Sequence, residues 1–225
     1  MSRPLLLDLC CGAGGAATGY HRAGFDVLGV DIQPQPNYPF EFWQLDAMKV
    51  LRSLGDGICP YDAIHASPPC QAYSTTASLH DAVYPELVDE MRVELQRIGV
   101  PYVIENVQGA PLRNAIRLCG SSFGLGVRRH RLFEIHPMLD ALVPPCAHHL
   151  QPEPLDVTGT GASRIGPRTD GKGGNSRKPR NLAEARDAMG IDWMSRKELS
   201  EAVPPAFTQW IGERLIEALS LVEAE

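Results

Sequence analysis

The chain has 225 residues, of which 44% are hydrophobic, 21% charged and 7% aromatic, and its formal net charge is −6. This composition is that of a globular protein with one domain, or one domain and an appendage, which can bury a core without a disulfide scaffold. The acidic balance argues against a protein whose whole surface binds nucleic acid.

The amino-terminal apolar run is too short to span a membrane. Asp8 interrupts it after three leucines, whereas a membrane-spanning helix needs roughly 20 apolar residues. The run also lacks the basic start and small-residue cleavage site of a signal peptide. We therefore expect a cytoplasmic protein without membrane contact, in which the six cysteines stay reduced.

Short apolar runs alternate with helical patterns along the chain. Strands are predicted at residues 5–9, 27–31, 42–45, 61–66 and 101–105, and helices at 16–24, 85–98, 182–189 and 207–222. This order predicts an α/β fold with a doubly wound, Rossmann-like parallel sheet. In such sheets the functional site lies at the carboxyl ends of the strands.

One basic segment interrupts this pattern. Residues 158–180 contain six glycines, six lysines or arginines and one acid, and they show neither a strand nor a helix period. The segment has a net charge of +5, so the rest of the chain has −11. We expect a loop or a mobile segment here.

A glycine turn follows the first predicted strand. Gly12-Ala13-Gly14-Gly15-Ala16-Ala17 fits the dinucleotide-binding fingerprint, and Asp31 lies 19 residues after Gly12, where an acid would accept from a ribose hydroxyl. NAD, FAD and S-adenosylmethionine all suit this pattern. Asp46, which follows the third predicted strand, could accept from an adenine amino group or cap the next helix.

Cys70 is the candidate nucleophile. It follows a predicted strand in Ser67-Pro68-Pro69-Cys70-Gln71, and the two prolines stiffen the loop that presents the thiol. A free thiol has a pKa of about 8.5, so a nearby cation or dipole would have to favour the thiolate. We expect the cysteines at positions 10, 11, 59 and 119 to pack in the interior instead.

Five motifs, in this order, resemble those of the DNA (cytosine-5)-methyltransferase family. The resemblance covers residues 5–212 and rests on Asp8-Leu9-Cys10-Cys11-Gly12-Ala13-Gly14-Gly15, Pro68-Pro69-Cys70-Gln71-Ala72-Tyr73-Ser74, Glu105-Asn106-Val107, Arg129-His130-Arg131 and Ala202-Val203-Pro204-Pro205.

The resemblance implies a covalent mechanism on a flipped cytosine. Cys70 would add to carbon 6 of the base, which allows carbon 5 to attack the donor's methyl group. Glu105 would protonate or hydrogen-bond nitrogen 3. Arg131, and less securely Arg129, would bind the base carbonyl, and their charge could favour the Cys70 thiolate.

The resemblance also implies the cofactor and the partner. The cofactor is S-adenosyl-L-methionine, with Asp8, Cys10, Cys11, Gly12, Ala13, Gly14, Gly15, Asp31, Ile32, Asp46, Ala47, Pro69 and Ala202 as candidate binding residues. The partner is double-stranded DNA, with Gln71, Ser74, Arg164, Arg168, Lys172, Arg177, Lys178 and Arg180 as candidate contacts. A monomer without an obligate protein partner is expected.

The same resemblance divides the chain into two parts. Residues 1–135 and 182–225 would form the catalytic, cofactor-binding domain, and residues 136–181 a small, partly flexible target-recognition region. Three positions depart from the family pattern: Cys10 replaces an aromatic residue, Val127 a glutamine and Glu201 an asparagine.

Three alternatives stay open at this point. The glycine turn also allows an NAD- or FAD-dependent oxidoreductase, the family also allows an RNA substrate, and a catalytically silent DNA-binding relative is the third possibility. The run Cys146-Ala147-His148-His149, with Cys119, offers zinc ligands, but its spacing is not that of a ribbon or finger. The sequence therefore predicts no metal.

Overall fold

The computed structural model describes residues 2–55, 59–70, 86–139, 141–158 and 176–222. Within these ranges the strands are β1 (Leu5–Leu9), β2 (Asp26–Asp31), β3 (Glu41–Gln44), β4 (Ala63–Ala66), β5 (Tyr102–Asn106), β6 (Ile116–Leu118) and β7 (Arg131–His136). The helices are α1 (Gly15–Ala23), α2 (Ala47–Ser53), α3 (Leu87–Ile98), α4 (Leu182–Met189), α5 (Arg196–Glu201) and α6 (Pro205–Val222).

The strands form one sheet in the order β3-β2-β1-β4-β5-β7-β6. Strands β1 to β5 are parallel, whereas β7 runs antiparallel to both β5 and β6. The predicted α/β doubly wound sheet is confirmed, with an antiparallel edge that the sequence did not indicate. The strand order reverses between β1 and β4, and such a switch point opens a crevice at the carboxyl ends of the strands.

Two short helices begin at side-chain caps. The Asp46 carboxylate accepts hydrogen bonds from the backbone N–H groups of Met48 and Lys49 at the start of α2. Ser195 and Glu198 form a capping box at the start of α5. These helices have only seven and six residues, too few for a hydrophobic period to predict them.

Helices α1 and α6 pack closely on one face of the sheet. A Cβ placed on Gly19 would lie 2.0 Å from Thr208 Oγ1 and 2.2 Å from the carbonyl oxygen of Pro205, so only glycine fits there. In return the Thr208 hydroxyl donates to the carbonyl of Ala16. The contact brings the carboxyl-terminal helix back against the glycine-turn helix.

The described part of residues 136–181 packs against α4. Leu155 and Val157 join α4 in a hydrophobic cluster with Ala188 and Met189. Leu155 also pairs with Arg177 in a parallel bridge. Among the described residues, no helix has the length and apolar character needed to cross a membrane.

Candidate active site

A cavity of about 600 Å³ lies at the carboxyl edge of β1, β2, β4 and β5. Residues predicted to bind the cofactor and residues predicted to be catalytic both line this cavity. The predicted residues that line it are Cys10, Cys11, Gly12, Ala13, Gly15, Asp31, Ile32, Asp46, Ala47, Pro69, Cys70, Glu105, Arg131 and Ala202. Asp8, Gly14 and Arg129 were also predicted, but they are not among the described residues that line this cavity.

The glycine turn and Asp31 form one hydrogen-bonded unit. Asp31 Oδ2 accepts from the backbone N–H of Gly12 at 3.0 Å, and Oδ1 accepts from that of Gln33 at 2.9 Å. The backbone is left-handed at Cys10 (φ 54°) and Gly12 (φ 50°). A Cβ on Gly12 would meet no described atom within 4 Å, so the turn leaves open space at the cavity wall.

Asp8 and Gly14 lie behind the turn. Asp8 is fully buried, and burial, with the nearby charge of Asp31, raises the pKa of its carboxyl well above the usual range. A Cβ on Gly14 would lie 2.6 Å from Cδ of Pro39. Both residues therefore support the turn from the protein side.

The loop that presents Cys70 is tied to two strands. The backbone N–H of Ser67 donates to the carbonyl of Leu9 at 3.0 Å. The Asn106 amide donates to the carbonyl of Pro68 at 2.9 Å, and its oxygen accepts from the Val107 N–H. This arrangement gives Asn106 of the Glu105-Asn106-Val107 motif a physical role, because its side chain fixes the Cys70 loop to the end of β5.

The Cys70 thiol is half-buried, and its pKa is raised. Burial is the largest cause, and Glu105 adds to it, whereas the charges of Arg131 and Arg129 act in the opposite direction. The two arginines therefore act to lower the pKa of the thiol, but burial raises it by more. In the free protein the thiol is mainly protonated at neutral pH.

Glu105 is a buried carboxyl with an open acceptor. Its Oε1 lies 3.0 Å from Arg131 Nε, yet this oxygen accepts no well-aligned hydrogen bond from any described residue. Burial raises the pKa of Glu105, while Arg131 and a hydrogen bond from Ser67 act to lower it. A carboxyl with a raised pKa in a cavity can both hold and deliver a proton.

A buried hydrogen-bonded chain lies below Glu105. Tyr20 Oη lies 3.0 Å from His65 Nδ1, and His65 Nε2 lies 2.9 Å from Ser67 Oγ. Burial lowers the pKa of His65 to about 3, so the imidazole is neutral. Sequence reasoning did not identify this chain, because its members come from α1 and β4 and form no local motif.

Unlike its near neighbour Arg131, which lines both this cavity and a second one, Arg129 lines only the second, as the described residues form them. It is buried, its Nη2 donates to the Ser200 carbonyl at 2.8 Å, and its φ is 32°. It lines a second cavity of about 260 Å³, next to Arg128 and Asp156. Burial and the charge of Arg131 lower the pKa of Arg129 to about 9.

Most predicted DNA contacts lie outside the described residues: Gln71, Ser74, Arg164, Arg168 and Lys172. Two of the others form ion pairs within the protein. Arg177 Nη2 lies 2.5 Å from Glu184 Oε1, and Lys178 Nζ lies 2.9 Å from Asp156 Oδ2. Arg180 donates its backbone N–H to Glu184.

Helix α5 adds acids to the cavity wall that sequence reasoning did not assign. Glu198 and Glu201 line the cavity, and Glu198 accepts from the Asn37 amide at 3.0 Å. The family pattern drew attention to Glu201 only as a departure. Nothing local in the sequence indicates that α5 would lie over the glycine turn.

Two curated proteins are similar to part of the chain, although no protein-family profile matches it. Type II methyltransferase M.XorII of Xanthomonas oryzae is 31% identical over 124 residues, which are 48% of this chain and 29% of that protein. Type II methyltransferase M.AgeI of Thalassovita gelatinovora is 29% identical over 124 residues, which are 46% and 28%. The matched segment thus spans less than a third of either relative.

Two solved structures resemble nearly the whole chain. One is a protein encoded within an Escherichia coli prophage and assigned as a DNA modification methyltransferase, with a TM-score of 0.61 and 16% identity over 96% of this chain and 99% of that one. The other is the Dnmt2 methyltransferase of S. pombe, with a TM-score of 0.57 and 13% identity over the same shares.

The sheet order and these structural relatives define the fold as that of the S-adenosyl-L-methionine-dependent methyltransferases. Over the 124 matched residues, the similarity to two type II methyltransferases agrees with the resemblance that the sequence motifs indicate.

Proposed function

We propose that this protein is a DNA cytosine-5 methyltransferase in which Cys70 is the covalent catalyst. One observation supports this above all: Cys70, Glu105 and Arg131 share a single cavity with the glycine turn and Asp31. A cavity of about 600 Å³ has the size of a small-molecule site. An oxidoreductase would leave the Cys70 loop and the Glu105–Arg131 pair without a role.

S-adenosyl-L-methionine, when bound, supplies the methyl group. The residues on the glycine-turn side fit such a ligand, because Gly12 leaves open space and two acids line the wall nearby. Asp31 would accept from the ribose hydroxyls and Asp46 from the adenine amino group. Both carboxylates already accept backbone N–H groups, which fixes their orientation before the ligand binds.

On the opposite side, the protein's own residues act on the base. The Cys70 thiolate forms a bond to carbon 6 of the flipped cytosine, and the ring electrons then move so that carbon 5 can take the methyl group. Glu105 delivers its proton to, or hydrogen-bonds, nitrogen 3 and limits the negative charge on the ring. Carbon 5 loses its proton to solvent, nitrogen 3 returns any proton it received to Glu105, and expulsion of the Cys70 thiolate restores the aromatic base. The demethylated donor would leave as a neutral thioether.

Arg131 would act on both the base and Glu105. Its guanidinium is close enough to Glu105 to hold the carboxyl in place, and its remaining N–H groups suit the carbonyl oxygen at carbon 2 of cytosine. The lowering effect of Arg131 on the pKa of Cys70 grows in importance once the base excludes water from the cavity.

Residues 136–181 would form the target-recognition region. Arg128, Arg129 and Arg131 line the second cavity beside Thr158 and Ser176, which are the described residues on either side of segment 159–175. This arrangement suits the phosphates of the DNA strand that leads into the catalytic cavity. Arg177 and Lys178 would contribute less to DNA binding than the sequence predicts, because each already forms an ion pair with an acidic residue.

The test incubates the protein with labelled S-adenosyl-L-methionine and duplex DNA of varied sequence, with structured RNA in parallel. Wild type should label carbon 5 of cytosine in DNA. Cys70→Ala should lower the rate at least 10³-fold, because burial raises the pKa of the other two thiols that line the cavity, Cys10 and Cys11, far above the usual range. Cys59→Ala is the matched control, because Cys59 is partly buried outside the cavity, and it should label DNA like wild type.

Each other outcome corrects a named part of the proposal. Label on RNA alone would replace the substrate but keep the reaction. Equal labelling by Cys70→Ala would overturn the covalent mechanism. No label on either nucleic acid, together with binding of a nicotinamide or flavin nucleotide, would favour the oxidoreductase.

A further inference from the structure

Four zinc-type ligands converge outside the active site. The donor atoms of Cys119, His130, Cys146 and His148 all lie within 4.8 Å of one another. They come from three separate segments, because Cys119 follows β6, His130 precedes β7, and the other two lie on the loop after β7. None of these residues lines the catalytic cavity among its described wall residues.

We propose that these four residues bind a structural Zn²⁺ ion with tetrahedral geometry. Cys119 Sγ lies 3.2 Å from His148 Nε2, and Cys146 Sγ lies 3.5 Å from His130 Nε2. With a Zn–S distance of about 2.3 Å and a Zn–N distance of about 2.0–2.1 Å, tetrahedral coordination places sulfur and nitrogen about 3.5 Å apart. The two imidazole rings have a centroid separation of 5.2 Å, so both can face one ion.

Two isolated thiol–imidazole hydrogen bonds explain the cluster less well. Such pairs would need only two short distances, whereas here all four donor atoms gather around one point. Two cysteines and two histidines are also a set that zinc prefers over harder cations. The sequence predicted no metal because His130 lies in the arginine motif, far from the Cys146-Ala147-His148-His149 run.

The surrounding charges suit a neutral metal cluster. Zn²⁺ with two thiolates and two neutral imidazoles has no net charge, so it does not repel the nearby Arg117 and Arg128. Both arginines lie close enough to act electrostatically on His130 and His148.

Neighbouring side chains orient the ligands. Ser121 Oγ lies 3.0 Å from Cys119 Sγ and accepts the backbone N–H of Ala147, between Cys146 and His148, at 3.0 Å. The Ser122 hydroxyl donates to the Pro145 carbonyl at 2.7 Å. Outer partners of this kind commonly hold metal ligands in place.

The site would also support the segment that presents the active-site arginine. His130 stands between Arg129, whose backbone is in the left-handed region, and Arg131, which pairs with Glu105. A metal bond at His130 would fix this strained stretch. This positioning role rests on the proposed function, whereas the metal site does not.

The first experiment measures zinc in the purified full chain after exchange into reducing, metal-free buffer, and again after titration with zinc alone. Wild type should bind one zinc ion per chain. Replacement by cobalt should give the visible absorption of a tetrahedral ion and a thiolate-to-cobalt charge-transfer band. Metal content no greater than background after reconstitution, or an octahedral cobalt spectrum, would overturn the proposal.

Matched variants locate the site. Cys146→Ser and His148→Ala should lose the stoichiometric zinc, and Cys59→Ser and His149→Ala should keep it. A chelator should lower the Tm of wild type and of both controls but not that of Cys146→Ser. If Cys146→Ser binds as much zinc as wild type, the assignment is wrong. Failure of methyl transfer leaves all of these readouts intact, so the two proposals fail separately.

Discussion

Glu134 and Glu105 are buried on adjacent antiparallel strands, and each pairs with an arginine. They differ in how many hydrogen bonds their carboxyl groups accept. Glu134 on β7 accepts from Arg92 Nε at 2.7 Å, from Arg92 Nη2 at 2.8 Å and from the Arg113 backbone N–H at 2.7 Å. Glu105 on β5 has one ion pair, to Arg131, and its Oε1 accepts no well-aligned hydrogen bond within the described chain. Of these two pairs, only Glu105 and Arg131 line the cavity as the described residues form it.

The difference shows how one residue pair can serve either stability or chemistry. A buried carboxylate whose two oxygens both accept hydrogen bonds joins separate elements, here α3 to β7. A buried carboxyl with an open acceptor costs stability, and native proteins retain such groups mainly where a ligand completes them. Glu105 therefore has an acceptor that a ligand could complete, whereas both carboxylate oxygens of Glu134 already accept hydrogen bonds.

The largest predicted effect is that of Glu105→Gln on catalysis. An amide cannot deliver the proton to the base, so kcat should fall by about 10²–10⁴-fold. Label transfer under saturating donor and DNA measures this. A variant with more than half of the wild-type rate would contradict the role of Glu105.

The same variant should keep its stability at neutral pH. Because the pKa of folded Glu105 is raised, ionisation of the carboxyl costs stability as pH rises through that value. Glu105→Gln avoids this cost, so its free energy of unfolding should exceed that of wild type at neutral pH. The difference should shrink as the pH is lowered. Urea unfolding at several pH values checks the sign.

Glu134→Gln, unlike Glu105→Gln, should lower the free energy of unfolding but leave the rate of methyl transfer unchanged. Removing one charge from a buried, fully bonded pair should cost about 3 kcal/mol in the free energy of unfolding. Methyl transfer per folded molecule should stay close to wild type, because Glu134 is outside the described cavity lining. Urea unfolding and rates normalised to the folded fraction measure both. A folded but inactive variant would mean that the two regions are not independent.

Asp31→Asn should weaken binding of S-adenosyl-L-methionine by about tenfold, the value of one hydrogen bond to a charged group. Asp46→Asn is the comparison, since asparagine still caps α2; it keeps the helix while changing the group that would face the adenine. Calorimetry gives both Kd values. Equal affinity of Asp31→Asn and wild type would remove Asp31 from the cofactor site.

The smallest expected effect is on the pH dependence of Cys70 alkylation. Because the pKa of this thiol is raised, its rate with iodoacetamide should still increase above a pH of about 8.5, where an ordinary thiol levels off. Arg131→Met should move the midpoint higher, because the lost charge favoured the thiolate. Mass spectrometry of the Cys70 peptide follows the reaction, and a downward shift in Arg131→Met would contradict the electrostatic account.

Much of the fold follows from local sequence. Continuous apolar runs predict β1, β2, β4 and β5, because strands buried on both faces need them. Residues at the carboxyl ends of such parallel strands must lie at one edge of the sheet. The sequence alone therefore predicts that the glycine turn, Asp31, Cys70 and Glu105 lie near one another. The three-residue β6 and the six-residue α5 are too short to show a period, and the reversal of β7 depends on a distant partner.

What the sequence determined by itself is the set of chemical groups and the sheet edge at which they gather. Tertiary packing decided that Arg131 rather than Arg129 lines the cavity, and that burial raises the pKa of Cys70 more than the arginines lower it. It also brought His130 next to Cys119, Cys146 and His148. These outcomes depend on distances and water exclusion between segments far apart in the chain. Local periodicity does not encode them, because electrostatic and metal-ligand interactions act through space.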